Sequence, residues 1–289
     1  MFVRFASLCL LLSTAYASIP HLPGYETIFS DDFNGAQGNG VDKSKWGQVR
    51  SRSDANPQQI VIYTDRERNA HLSGDGQLYI VPKKGTISSG MFWTTARLES
   101  KASWTCGAGK AMILQSEIRV PDFAGSPLKY NGIWPTFWAT GQQCREGITH
   151  WSCGAWDIFN AVNKKGNRNK AALHFDNSNG KPNNAFSRNA YFQGGAYHTW
   201  ALKVDRRNTD WKKESLIWYM DGKEFYRVTG AMVGTLNEWK ILAQTPYYAI
   251  FDLALGVNAG SFAGLVTSKT ADGFEGSMRV KYFAVYKSI

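Results

Sequence analysis

Acidic residues are scarce in this chain: 23 Asp and Glu stand against 33 Lys and Arg in 289 residues, a formal charge of +10. That balance favours anionic surfaces or acidic wall polymers as neighbours, although lysines scattered among turns also make an ordinary solvated face. There is no basic helix and no Arg-rich run, so nucleic acid is excluded as a partner. After the N-terminus no run approaches the roughly 20 apolar residues of a membrane span, which excludes membrane insertion. Long amphipathic helical periods, internal repeats and linkers are also absent, as is any Asn-x-Ser/Thr sequon. What is left is a strand-rich chain of a size normal for one β-sandwich.

Cysteine is the other scarce residue, with four in the chain. Arg4, the apolar run from Phe5 to Leu12 and the small-x-small triplet Ala15-Tyr16-Ala17 read as a secretory signal over residues 1–17, with a mature start at Ser18. The expected product, residues 18–289, is a single exported domain, extracellular or associated with a cell wall. Cys9 leaves with the signal, and Cys106, Cys144 and Cys153 enter a compartment that favours oxidation. A Cys144–Cys153 bridge would close a short polar loop and leave Cys106 as a buried thiol. A Cys106 bridge to either partner stays open at this point.

The strand signals are short, β-branched or aromatic, and bounded by Gly, Asn or Asp: Gln77 to Val81, Ala111 to Val120, Leu216 to Met220 and Met278 to Tyr286. Asp221-Gly222 reads as a hairpin turn. The fold class is therefore all-β, with two antiparallel sheets face to face.

The most informative stretch is Gly154-Ala155-Trp156-Asp157-Ile158-Phe159-Asn160. Side chains at i, i+2 and i+4 of a strand share a face, and a one-residue bulge moves the last to i+5. Positions 155, 157 and 160 fit that bulged spacing. The stretch resembles the Glu-x-Asp-x-x-Glu signature of glycoside hydrolase family 16, the laminarinase and lichenase family, with both glutamates replaced. The resemblance continues through Asp31-Asp32-Phe33-Asn34-Gly35, Ala96 to Lys101, Asn131 to Trp138, Tyr197 to Trp200, Ile217 to Gly222, Leu253 to Gly256 and Val280 to Tyr286.

The family implies a concanavalin-like jelly roll with a sugar cleft across its concave sheet. It also implies a retaining pair of carboxylates, held about 5 Å apart across the scissile bond. Here Ala155 has no oxygen, and Asn160 has no proton to give at neutral pH. Loss of an acid/base costs on the order of 10²- to 10⁴-fold, and loss of a nucleophile removes the covalent route. No catalytic residue is expected. The residual candidates are Asp157, which supports the nucleophile in the family; His174, which resembles a family histidine near the cleft floor; and Asp252, where the family usually has Asn.

Binding equipment survives better. Trp134 and Trp138 match the family's cleft tryptophans, and their spacing puts both on one face of a strand. Asn131, Arg97, Glu117, His174, Asp157 and Asn160 join them as candidate carbohydrate contacts, and Trp104, Trp151 and Trp211 could extend the platform. Trp156, Trp200 and Trp218 read as core. Many family members bind calcium with an N-terminal acid and an aspartate in the last strand. Here Lys281 holds that last position, where its ammonium beside Asp32 would replace the ion. No metal or cofactor is expected.

The leading expectation is thus a secreted, monomeric β-glucan-binding protein without catalysis, taking β-1,3-linked or mixed-linkage glucan or a related wall polysaccharide. The alternatives are an active endo-β-1,3(4)-glucanase or transglycosylase using Asp157 with Asp252, and an interaction protein with a vestigial cleft.

Overall fold

The computed structural model describes residues 18–52, 62–87, 90–256 and 262–289; the expected signal at 1–17 lies outside them. Two large sheets dominate, and every pairing within them is antiparallel. The signature sheet runs Pro182–Asn183, Arg168–Asp176, Ala155–Asn160, Ile133–Gly141, Tyr247–Leu255, Arg97–Ser100, Trp46–Gln48, with Ser187–Tyr191 also on Arg168–Asp176. The second sheet runs Lys223–Thr229, Ser215–Met220, Tyr197–Asp205, Ala111–Arg119, Met278–Ser288, Leu78–Ile80, Ala70–Leu72, with Tyr25–Asp31 also on Met278–Ser288. Four shorter strands, Ser51–Arg52, Ile62–Tyr63, Lys83–Ile87 and Gly90–Thr95, form a small side sheet. The all-β expectation holds, with two antiparallel sheets as read.

Alternation along the strands explains why the sheets face each other. Within Ile133–Gly141, Phe137 and Ala139 are fully buried, whereas Trp134 and Trp138 on the other face are half-buried. Phe137 stacks on Phe251, with ring centres 4.7 Å apart, and both reach Phe283 of the second sheet at 5.8 Å. Trp156, Trp200 and Trp218 are at most 1% exposed and belong to this core, as their position in the strand pattern predicts. Asp221 and Gly222 both take positive φ, at 50° and 75°, which gives the hairpin the twist its strands need. Among the described residues, no helix is long and apolar enough to cross a membrane.

Among the described residues three short α-helices punctuate the strands, His150–Cys153, Gly230–Val233 and Leu236–Ala243, beside a few single 3-10 turns. The first lies just before the signature strand, and Cys153 at its end forms a disulfide with Cys144. Gly154 then turns the chain with φ +77°, where a side-chain carbon would fall 2.3 Å from the Tyr247 hydroxyl. Cys106 is free and buried, and burial pushes its thiol up to about 11, so it stays protonated.

Candidate functional site

The register of Ala155–Asn160 against Ile133–Gly141 contains the bulge the spacing requires. Thr140 faces Ala155 and Trp138 faces Asp157, but Phe137 faces Phe159, so Ile158 is the extra residue. A bulge leaves backbone groups without ladder partners, and buried side chains take them here. The Trp218 indole, from the second sheet, donates to the Asp157 carbonyl at 2.8 Å. Asn169 donates to the Ile158 carbonyl at 3.1 Å and accepts from the Asn160 amide at 2.7 Å. With the bulge fixed in this way, Ala155, Asp157 and Asn160 share the outward face.

Asp157 sits at the centre of that face. Its Oδ2 accepts from His174 Nε2 at 3.0 Å and from Asn160 Nδ2 at 2.8 Å. Burial opposes the charged carboxylate, but the facing His174 and these two hydrogen bonds outweigh it, so its pKa lies below the ordinary 3.8. Burial likewise opposes a charged His174, and Asp157 outweighs it, leaving the imidazole above its ordinary 6.5. Asn160 completes the chain, because its Oδ1 accepts from the Trp134 indole at 2.8 Å. Its carboxamide is therefore committed in both directions. Phe262 packs on Trp134 with ring centres 5.3 Å apart.

Ala155 is 1% exposed and stands between Thr140 and His174 in register. Trp151, on the disulfide-closed helix, meets His174 edge-on at 5.1 Å, and His150 lies 6.0 Å from the same ring. Thr140 Oγ1 contacts Cys144 Sγ at 3.0 Å, which ties the disulfide to this end of the face.

Asp252 lies two strands away, opposite Thr136 on one side and Arg97 on the other. Tyr63 of the side sheet donates to its Oδ2 at 2.8 Å, the Trp138 indole donates to Oδ1 at 3.2 Å, and the Thr136 hydroxyl also bonds Oδ1. Burial, and after it the Asp252 charge, pushes the Tyr63 hydroxyl well above its ordinary value and keeps it a donor. Arg97 stacks over Trp138 at 5.0 Å while bonding Glu99. Arg145 also pairs with Glu99, and it covers Tyr248 at 3.7 Å.

Asp157 and Asp252 are two residues and two strands apart in register, about 12 Å between Cα atoms from ordinary sheet spacing. Their carboxylates turn to separate donors, with Trp138 and Thr136 between them. A retaining pair needs about 5 Å and an inverting pair about 6.5–9.5 Å. Asn131 lies at the approach to Ile133–Gly141, where its Oδ1 accepts from Asn163 at 3.2 Å.

Three expectations need correction. Glu117 is no companion of the tryptophans: it lies on the outward face of the second sheet, where Lys281 Nζ bonds it at 2.7 Å. Lys281 consequently has Glu117 as its partner in place of Asp32, and Asp32 instead accepts from Asn34. Trp104 packs against Phe29 and Phe283, and Trp211 beside Gly230, so neither extends the platform; only Trp151 reaches it. Tyr63, Arg145 and Phe262 were not anticipated. No spacing rule ties them to the signature, since each arrives from a different loop or sheet. Among the described residues, no group of three His, Cys, Asp or Glu is arranged to hold a metal ion.

No protein-family model matches the chain. It is 26% identical over 293 residues to glucan endo-1,3-beta-glucosidase A1 of Niallia circulans, covering 93% of this chain and 39% of that protein, so it spans about two fifths of that relative's length. An endo-1,3-beta-glucanase from Streptomyces sioyaensis superposes with a TM-score of 0.82 at 24% identity, over 94% of this chain and 99% of the other. A LamA variant from Z. galactanivorans, solved with laminaritriose and laminaritetraose, superposes at 0.69 and 20% identity, over 90% and 98%. A non-specific endo-beta-1,3(4)-glucanase from family GH16 does so at 0.69 and 20%, over 94% and 97%. The resemblance to glycoside hydrolase family 16 thus holds at both levels: the chain is similar in sequence to a glucan endo-1,3-beta-glucosidase and has the laminarinase jelly-roll fold.

Proposed function

We propose that this protein binds β-1,3-linked or mixed-linkage glucan without cutting it, and that it does so outside the cell. The observation that carries the reading is the Trp134–Asn160–Asp157–His174 chain of hydrogen bonds. A glutamate's place is taken by a carboxamide locked between an indole donor and a carboxylate acceptor, which holds the floor rigid and moves no proton. At the other outer position, Ala155 offers no nucleophile. Trp134 and Trp138 stay half-buried on the same face, with flat rings suited to the apolar C–H faces of pyranoses. The glucan as ligand is suggested by what the relatives are named for acting on.

The relocated pair, Asp157 with Asp252, is the less favoured reading, because each carboxylate is already engaged by its own set of donors. Native mass spectrometry of residues 18–289 with a β-1,3-gluco-oligosaccharide series, followed over hours, tests the proposal. Adducts that keep the full oligosaccharide mass are expected. Accumulating shorter sugars would overturn it. A Trp134→Ala, Trp138→Ala double variant should lose the adduct; unchanged binding would move the ligand site elsewhere.

A further inference from the structure

The outward face of the second sheet carries an arrangement that glucan binding does not use. One row across five neighbouring strands reads His71, Tyr79, Arg279, Arg119, Tyr197, each residue in direct register with the next. Arg279 and Arg119 are therefore cross-strand partners, a like-charge placement that costs stability in an antiparallel sheet. Several other cations on this sheet and its edges have carboxylate partners: Lys203 and Arg207 share Asp205, Arg206 has Glu214, Arg227 has Glu224 and Lys281 has Glu117. Among the described residues, neither Arg119 nor Arg279 pairs with a carboxylate. Asp75, the nearby acid, accepts from Ser73 and Gln77.

The surroundings of the two guanidinium groups are aromatic. Arg279 lies 5.0 Å over the Tyr79 ring, and Tyr79 and His71 meet Phe274, itself 52% exposed, at 5.5 and 5.8 Å. On the other side, Lys281 stands 4.2 Å over Tyr197, whose hydroxyl bonds Gln77. Arg119 uses one of its five donors on the Gly195 carbonyl at 2.5 Å, and Arg279 makes only long contacts, at 3.4 and 3.5 Å to Ser277 and Phe274. The row spans about 19 Å from ordinary strand spacing, a length suited to several residues of an extended polymer.

We propose that this face is a second glycan site, for a polyuronate, in which Arg119 and Arg279 bind ring carboxylates and Tyr79, Tyr197 and Phe274 flank the sugar rings. The two guanidinium forks rise from paired backbone positions and turn outward in opposite directions, Arg279 towards Tyr79 and Arg119 towards Gly195, so each fork is matched to a carboxylate of a different ring along the polymer. Aromatic rings beside them suit a charged pyranose better than a bare inorganic anion. The excess of cations over the whole chain brings such a polymer to the surface. The site lies on the opposite sheet from Trp134 and Asn160 and stands or falls independently of glucan binding.

Titration calorimetry of residues 18–289 with hexagalacturonate, at low and moderate salt, tests the proposal. Wild type should bind with an affinity that weakens as salt rises. The Arg119→Gln, Arg279→Gln double variant should bind at least tenfold more weakly, and Tyr79→Ala should weaken binding with no change in its salt dependence. The Trp134→Ala, Trp138→Ala variant should bind the uronate as wild type does. Because both arginines are surface side chains, the glutamine variant should keep the wild-type near-UV circular dichroism. No uronate binding by wild type at low salt, or equal affinity in the double glutamine variant, overturns the proposal. Equal binding of polyphosphate or anionic phospholipid vesicles with the same arginine dependence also overturns it, since the face would then be an unselective basic surface.

Discussion

The two sides of the candidate cleft floor treat their carboxylates differently. On the signature side, the outer positions have become Ala155 and Asn160, and the remaining Asp157 is held by one histidine and one carboxamide. On the far side there is a carboxylate more than the family pattern calls for, yet Asp252 is held by three donors, Tyr63, Trp138 and Thr136, with Arg97 beside it. A count of acids would call the two sides equivalent to a displaced catalytic pair. Their donors say otherwise: a carboxylate held by three donors anchors its neighbours, and Asp252 fixes the Trp138 indole while Glu99 holds the Arg97 guanidinium over it.

The sharpest way to break this contrast is to restore the acids on one side only. Ala155→Glu with Asn160→Glu should make the protein shorten laminari-oligosaccharides measurably, while either single substitution should stay at least about 10²-fold below the double. If the double variant is folded and inactive, the bulged frame is not a working catalytic frame. Next in size is Asp252→Ala. Three donors would lose their acceptor in a buried setting and Arg97 a neighbouring opposite charge, so a urea titration should show a loss of about 3 kcal/mol. A loss below about 1 kcal/mol would make Asp252 an ordinary surface acid. Asp252→Asn should cost less, because one carboxamide oxygen still accepts while its NH2 group opposes donors on the other side.

Much of the signature side was legible because it obeys local rules. The 155, 157, 160 spacing predicts a bulge, and the structure has it at Ile158; alternation predicts Trp156 inward, and it stacks on Tyr247 at 3.6 Å. The short loop favours a Cys144–Cys153 bridge while leaving a Cys106 pairing open, and the structure has Cys144–Cys153. What stayed illegible depends on register between distant strands. Glu117 looks like any cleft acid until pairing puts Ala111–Arg119 beside Met278–Ser288 in the other sheet. Tyr63 reaches Asp252 across 189 residues of sequence, from a side sheet whose short strands give weak patterns. The Arg119–Arg279 pair is invisible for the same reason: each arginine alone is unremarkable on a polar strand face.

A smaller effect separates the two sides by their response to pH. Asp157 has its pKa lowered in the folded protein, so its contribution to stability is present above 3.8 and is lost as pH falls through the lowered value. His174 has its pKa raised, so its contribution is present below 6.5 and is lost as pH rises through the raised value. The pair therefore stabilises most between 3.8 and 6.5 and fades on both sides of that window. Other charges face it: His150 stands against His174, burial and then His174 itself pull its pKa down, and Lys170 opposes the charged form of His174. Those groups shrink the His174 contribution without changing its sign. The stability of wild type relative to a His174→Asn variant, measured by urea titration from pH 3 to 8, should be a bell with its top inside the window. A difference that is flat across the range would mean that the imidazole acts as a neutral hydrogen-bond donor to Asp157.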